Sequence, residues 1–155
     1  MTNYHERLWA SPWVFIATAL VIPASILVFL PINQIAGPVV GIVLYAAILV
    51  LIAVGSPSIE VTGADVIAGR ATLPLGFVGA VTPYRDDAAT EQRGPKLDAR
   101  AWLLIRGWVS PVVRIDLSDP DDPTPYWIVS TRHPEDLTKA ITAARAVAND
   151  QAGRN

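Results

Sequence analysis

The chain has 155 residues, 52% of them apolar, with 12 basic and 14 acidic side chains and no cysteine. That length leaves room for one soluble domain of about 100 residues beside a membrane segment. The near-neutral balance gives no reason to expect nucleic acid as a partner. The missing cysteine excludes disulfides, thiolate metal sites and a cysteine nucleophile, and suits a reducing compartment.

Residues 1–12 read as a short N-terminal cytoplasmic segment ending in aromatics. Trp9 and Trp13 are four positions apart, on one helical face, where indole rings favour the headgroup region of a bilayer. No Asp, Glu, Lys, Arg or His occurs between Arg7 and Glu60. Two apolar runs fill that gap, Trp13–Leu30 and Val39–Val54, each about 25 Å long as a helix against a hydrocarbon core of ~30 Å. The first run is too long for a signal-peptide core, has no basic excess before it and is followed by no A-x-A site. Residues 13–54 are therefore predicted to form an uncleaved transmembrane hairpin, with the connector Pro31–Pro38 short enough only for an antiparallel turn.

Pro23 forfeits a hydrogen bond to the Ala19 carbonyl, which predicts a kink that Thr18 or Ser25 would compensate. Gly37-x-x-x-Gly41 matches a small-residue packing motif, although Gly37 sits at the turn with Pro38 after it. Ala17, Ala24, Ala46 and Ala47 add further small residues for a close approach. The connector has no Lys or Arg, whereas Arg7 and Arg70 flank the hairpin, so the positive-inside rule places both termini in the cytoplasm.

From residue 58 to 149 the pattern is that of a soluble domain. Ile59 and Val61 alternate with Glu60 and Thr62, Gly63-Ala64-Asp65 turns the chain, and Val66-Ile67-Ala68 resumes, predicting a β-hairpin. Leu73-Pro74-Leu75 precedes an extended piece, Phe77–Tyr84. Acids at Asp86 and Asp87, Arg93 near the end and the terminator Gly94-Pro95 predict one short helix. Trp102–Ile105 and Val112–Leu117 read as paired strands around the turn Arg106–Pro111. Ser118–Pro125 is an acidic, proline-rich loop, and Tyr126–Thr131 is the last strand. Pro134 opens the final helix, with Glu135 and Asp136 at its positive end. Leu137, Ile141, Ala144 and Val147 form its apolar stripe, and residues 150–155 are expected to fray. The fold class is α+β: a two-helix transmembrane hairpin, then a small antiparallel β domain closed by a C-terminal amphipathic helix, the plan of a pleckstrin-homology-like domain.

Local wording points the same way. Tyr4-His5-Glu6-Arg7-Leu8-Trp9, Leu73-Pro74-Leu75-x-Phe77-Val78-Gly79, Gly94-Pro95-Lys96-Leu97-Asp98 and Asp122-Pro123-Thr124-Pro125-Tyr126-Trp127-Ile128-Val129-Ser130-Thr131-Arg132-x-Pro134 resemble an actinobacterial family of small two-helix membrane proteins with a domain of unknown function. The resemblance implies a plasma-membrane protein whose domain is similar to bacterial pleckstrin-homology-like folds. It implies no reaction.

Few residues offer chemistry. His133, Glu135 and Asp136 cluster at a helix start, where carboxylates stabilise the helix dipole; one histidine without a second ligand at i+4 does not make a zinc site. Asp116, Asp119, Asp121 and Asp122 fail the calcium-loop pattern, since Asp121 stands where a glycine belongs and Trp127 where a glutamate belongs. No metal or cofactor is expected. The one local charge bias gathers Arg93, Lys96, Arg100, Arg106 and Arg114 against Asp98, interleaved with Trp102 and Trp108. No nucleophile elbow, P-loop, dinucleotide fingerprint or zincin motif occurs, so the chain reads as a non-enzyme. Three expectations follow. The first is a membrane-anchored domain that binds or scaffolds a protein partner. The second is a reader of anionic lipid headgroups through Arg93, Lys96, Arg100, Arg106, Trp108 and Arg114. The third is a hydrolase resting on carboxylates alone.

Overall fold

The structure, a computed structural model, describes residues 4–152. The chain divides into two compact units. One is a helical hairpin, Trp9–Ser56; the other combines the residues up to Leu8 with those from Pro57 onward.

Within the hairpin, the first apolar run makes two consecutive helices, α1 (Pro12–Ala19) and α2 (Val21–Phe29), and the second makes α3 (Ala36–Val54). The break falls at Leu20, whose N–H bonds back three residues to Ala17 (3.2 Å). That is the turn whose hydrogen bond Pro23 removes. Thr18 donates instead to the carbonyls of Val14 (2.9 Å) and Phe15 (3.1 Å), upstream of the gap. Asn33 Oδ1 accepts the N–H groups of Ile35 (2.8 Å) and Ala36 (3.3 Å), covering two of the orphan donors that open α3. The hairpin is held by close contact. A Cβ on Gly37 would lie 2.7 Å from Ile26 Cα, and one on Gly41 2.9 Å from Ile22 Cα, so only glycine permits this separation. Ser25 is buried there, and the Tyr45 hydroxyl donates across to the Phe15 carbonyl (3.3 Å). The outward surface is apolar: Trp13, Ile16, Leu20, Leu27, Ile42 and Leu51 are all exposed.

Among the described residues, the second unit holds eight strands in two four-stranded sheets. Sheet A runs β1 (Tyr4–Arg7), β2 (Ser58–Val61), β3 (Asp65–Ala68) and β4 (Ala71–Pro74), antiparallel throughout. The predicted β2–β3 hairpin is present. Residues 4–8, read from sequence as part of a short N-terminal segment with no strand assigned to it, complete this sheet. Tyr4 faces Val61 and Arg7 faces Ser58, and the Leu8 N–H reaches the Pro57 carbonyl at 2.9 Å. The helical hairpin is thus an insertion between two adjacent strands. Gly69, at φ +63°, turns β3 into β4, a conformation L side chains adopt only with strain.

Sheet B is ordered β5 (Val78–Tyr84), β7 (Val112–Leu117), β8 (Tyr126–Ser130) and β6 (Trp102–Leu104). The expected pairing of 102–105 with 112–117 is corrected here: β6 runs parallel to β8, with Trp102 opposite Trp127, and β7 lies on the other side of β8. The segment between them does not close a hairpin. Arg106 N–H is held by Ser130 Oγ (3.1 Å) and Val109 is drawn into the core, carrying the chain past the end of β8. A small α+β body results, with one parallel pair in an otherwise antiparallel arrangement.

Leu8, Ile59, Val61, Val66, Leu75, Val113, Ile115 and Val129 form the main core, closed by α5 (Pro134–Ala152) through Leu137, Ile141 and Ala144. The stripe continues to Ala148 rather than Val147, which is 56% exposed, because the i, i+4, i+7, i+11 spacing keeps to one face of a 3.6-residue helix. The helix runs to Ala152, past the predicted fraying point at Asp150; the last three residues lie outside the described range. Helix α4 (Asp86–Arg93) covers the other face of sheet B, where Ala89 packs with Val112, Tyr126 and Ile128.

Candidate functional site

The basic set divides in two. Lys96, Arg100 and Arg114 gather around Tyr126 on the α4 side of sheet B, whereas Arg106 and Trp108 belong to the segment linking β6 to β7. Tyr126 organises the first group. Its hydroxyl accepts the Asp98 N–H (2.6 Å) and donates to the Lys96 carbonyl (3.2 Å), fixing the loop between α4 and β6. The Arg114 guanidinium carbon stands 3.8 Å from the centre of the same ring, a cation–π contact.

Each cation of this group has a carboxylate of its own. Lys96 Nζ is 2.6 Å from Glu91, Arg100 Nη2 is 3.2 Å from Asp98, and Arg114 Nε is 2.7 Å from Asp116. The hydrogen bond it donates to Glu91 holds the Lys96 ammonium above its ordinary range, and the one donated by Arg100 holds the Asp98 carboxyl below its own. Arg93 turns back on its helix, Nε to the Ala89 carbonyl (3.2 Å), and Arg106 Nη1 meets the Ile105 carbonyl (3.0 Å). Of the predicted set, Lys96, Arg100 and Arg114 are thus each paired with a carboxylate, and Arg93 and Arg106 each donate to a backbone carbonyl. Trp108 packs against the main core, and Trp102 stacks on Trp127 with ring centroids 4.3 Å apart.

The acidic candidates are engaged as well. Asp119 and Asp122 accept the N–H groups of Asp121 (2.9 Å) and Thr124 (2.8 Å), the local turns that stiffen a proline-rich loop. The Thr124 N–H holds the Asp122 carboxyl below its ordinary range. Glu135 takes a two-pronged grip from Arg85, Nε to Oε1 at 2.7 Å. Among the described residues, no three His, Cys, Asp or Glu side chains lie close enough to share a metal ion. The Arg85 bonds lower the Glu135 carboxyl to about 2. A depressed carboxylate stabilises the fold above its unfolded pKa and loses that contribution as pH falls through the folded value. The NMR titration midpoint of Glu135 is therefore expected near 2 and, in Arg85→Gln, back in the ordinary carboxylate range; an unchanged midpoint in Arg85→Gln refutes the assignment.

One polar cluster escaped the sequence reading. Glu6, on β1, accepts from the Tyr4 hydroxyl (2.8 Å), the Thr131 hydroxyl and the Arg132 N–H (2.9 Å). Thr131 is fully buried, and its Oγ1 also accepts the His133 N–H (3.1 Å) at the start of α5. Burial, opposed by the hydrogen bond with Thr131 and reinforced by Glu6, pushes the Tyr4 hydroxyl above its usual range. The only sequence signal was a hydrophilic tetrapeptide, Tyr4-His5-Glu6-Arg7, about fifty residues from its strand partner. Trp9 (45% exposed) and Trp13 (62%) lie outward at the start of the helical unit.

A model of the family described as "Protein of unknown function (DUF3093)" matches residues 3–141. Neither the comparison with curated proteins nor that with solved structures finds a match.

Proposed function

The chain belongs to the DUF3093 family of proteins of unknown function, and we propose that it is a membrane-anchored, non-catalytic domain that holds a binding surface for a protein partner at the cytoplasmic face of the plasma membrane. The carrying observation is the ladder between Tyr4–Arg7 and Ser58–Val61. Two helices of 18 and 19 residues, with mean hydropathies of 2.2 and 2.6 and almost wholly outward apolar surfaces, lie between those strands. Strands that pair across such an insertion require both of its ends on one side of a bilayer. That supports a two-pass anchor with both termini on one face, and the flanking Arg7 and Arg70 favour the cytoplasmic one.

The partner reading is supported over a lipid reader at Arg93–Arg114 by the internal pairing of Lys96, Arg100 and Arg114. It is supported over a hydrolase by the commitment of Asp116 to Arg114 and of Glu135 to Arg85. The edge strand β6, with Leu103 42% exposed, is the surface proposed for the partner. A photo-crosslinking residue at Leu103, in full-length protein in native membranes, is expected to give a discrete protein adduct. A smear or no adduct, with crosslinking intact at a control site, overturns the partner reading. Release of the chain by alkaline carbonate overturns the anchor.

A further inference from the structure

Among the described residues the two sheets leave four edges, β1, β4, β5 and β6, and three of them carry features that resist further pairing. β1 contains the charged run His5-Glu6-Arg7. β4 ends on Pro74, whose nitrogen has no hydrogen to give to a ladder. β5 contains Pro83 and a register shift between Val78 and Val81, and Arg145 Nη1 donates to its Gly79 carbonyl (2.7 Å). β6 is Trp102-Leu103-Leu104, with no charge, proline or bulge.

The register shows which backbone groups of β6 face outward. Thr131 N–H donates to the Pro111 carbonyl (3.1 Å) and Leu117 N–H to the Pro125 carbonyl (3.0 Å), so odd-numbered residues of β8 turn toward β7. Even-numbered ones, Ile128 and Ser130 among them, turn toward β6. With Leu103 beside Ile128 in a parallel pair, the residues that meet them are Trp102 and Leu104, and Arg106 N–H continues the row onto Ser130 Oγ (3.1 Å). Leu103 therefore aims both its N–H and its carbonyl away from the sheet, as do Ala101 and Ile105. Two of these outward groups are capped: Ala101 N–H donates to the Asp98 carbonyl (3.0 Å), and the Ile105 carbonyl accepts Arg106 Nη1 (3.0 Å). Between the caps stand the Ala101 carbonyl, both groups of Leu103 and the Ile105 N–H, with no hydrogen-bond partner among the described residues. In chain order they read acceptor, donor, acceptor, donor, which one more strand satisfies.

Resting on the partner reading above, we infer that the partner docks on residues 101–105 by strand addition, through an extended segment that is apolar opposite Leu103 and acidic at its ends. Leu103, 42% exposed, shares a face with Ala101 and Ile105, which pack around Ala89, Val112, Tyr126 and Ile128. An apolar residue opposite Leu103 extends that cluster. Charge selects the occupant. Arg93, Lys96 and Arg100 precede the site and Arg106 follows it, against Asp98. A second copy pairing β6 with β6 about a two-fold axis brings the Arg100 end of one chain to the Arg106 end of the other, so like charges oppose it. An acidic segment gains at the same two ends.

Amide hydrogen exchange of the full-length chain in micelles, read by NMR, tests the inference with a synthetic peptide of alternating valine and threonine carrying two aspartates at each end. With about four fifths of the sites filled, the Leu103 and Ile105 amides are expected to exchange about fivefold more slowly, while Trp102 and Leu104, already bonded to β8, do not change. A peptide with lysines in place of the aspartates should bind about fivefold more weakly at low salt. Leu103→Pro removes the outward N–H and leaves the bonds to β8, so it should abolish protection of Ile105; Leu103→Val keeps the N–H and should retain it. Slow exchange at Ile128 and Ser130 shows that the proline variant keeps its ladder; if it does not, the alternation of amides in the parent chain decides alone. No protection at Leu103 and Ile105, equal protection of all four amides, or protection that survives the proline in an intact ladder overturns strand addition. Equal binding of the lysine peptide overturns the acidic segment, and protection that rises with protein concentration alone makes the occupant a second copy. A discrete adduct at Leu103 in native membranes alongside any of these failures leaves the partner reading standing, whereas loss of that adduct removes both.

Discussion

Residues 58–155 expressed alone are expected not to fold, whereas a chain in which Leu8 is joined to Pro57 through Asn-Gly, with the whole helical insertion removed, is expected to fold as a soluble domain. The prediction rests on what β1 supplies. Leu8 is fully buried in the main core, and truncating a core leucine costs about 2–5 kcal/mol. Glu6 accepts three hydrogen bonds at the turn that launches α5, and bonds to a charged group contribute about 1.5–3 kcal/mol each. Glu6→Ala alone is accordingly expected to lower stability by at least about 2 kcal/mol. Together these losses rival the whole stability of a small domain, about 5–15 kcal/mol, and they also bare the edge of β2 to unwanted pairing. The Asn-Gly closure follows from register. Leu8 and Pro57 form the last hydrogen-bonded position of the ladder, where a two-residue turn closes an antiparallel pair. Dispersed amide spectra and a cooperative thermal transition should appear in the joined chain and be missing from 58–155. A well-dispersed spectrum from 58–155 alone refutes the claim that β1 is integral.

The same strand shows where sequence reading stops. Helices and strands announced by their own period were legible: the β2–β3 hairpin, α4 with its acids and Gly-Pro stop, and α5 opening at Pro134. The break in the first apolar run was legible too, because Pro23 acts within one turn of itself. Partners chosen over long distance were not. β1 is four polar-looking residues whose alternation acquires meaning only beside Ser58–Val61. β6 was assigned to the wrong neighbour because a local turn signal, Arg106-Gly107, competed with parallel pairing to β8, and the burial of Val109 decided the outcome. The partners of the charged residues were not legible either. Arg100 and Arg114 each sit two residues from the acid that pairs with them, but a run of cations conveys no such pairing until side chains have directions. The polar cluster was the least legible, since Glu6 gains its partners from sheet geometry rather than from any motif.

Within the helical unit, Gly41→Leu and Gly37→Leu are expected to separate α3 from the first apolar run. At both positions a side chain would meet backbone, the Cα atoms of Ile22 and Ile26, which cannot rotate out of the way as a flexible side chain does. Overpacking of this kind costs about 1–3 kcal/mol per site where neighbours yield, and a rigid backbone contact lies at the upper end. Separation also withdraws the Tyr45 hydroxyl from the Phe15 carbonyl and uncovers the Ser25 hydroxyl, which in the proposed bilayer would leave an unmet polar group at a cost. Small residues hold apolar helices together in hydrocarbon because close approach maximises dispersion contact, with no hydrophobic gain to replace it. Hydrogen exchange of the full-length chain in micelles should show α2 and α3 amides exchanging faster in either variant, by roughly tenfold to a hundredfold for a loss of that size. Gly63→Ala is the control, since nothing lies within 4 Å of a Cβ at that turn, and its exchange should match the parent chain. Unchanged protection of α3 in both leucine variants defeats the glycine-contact account of the hairpin.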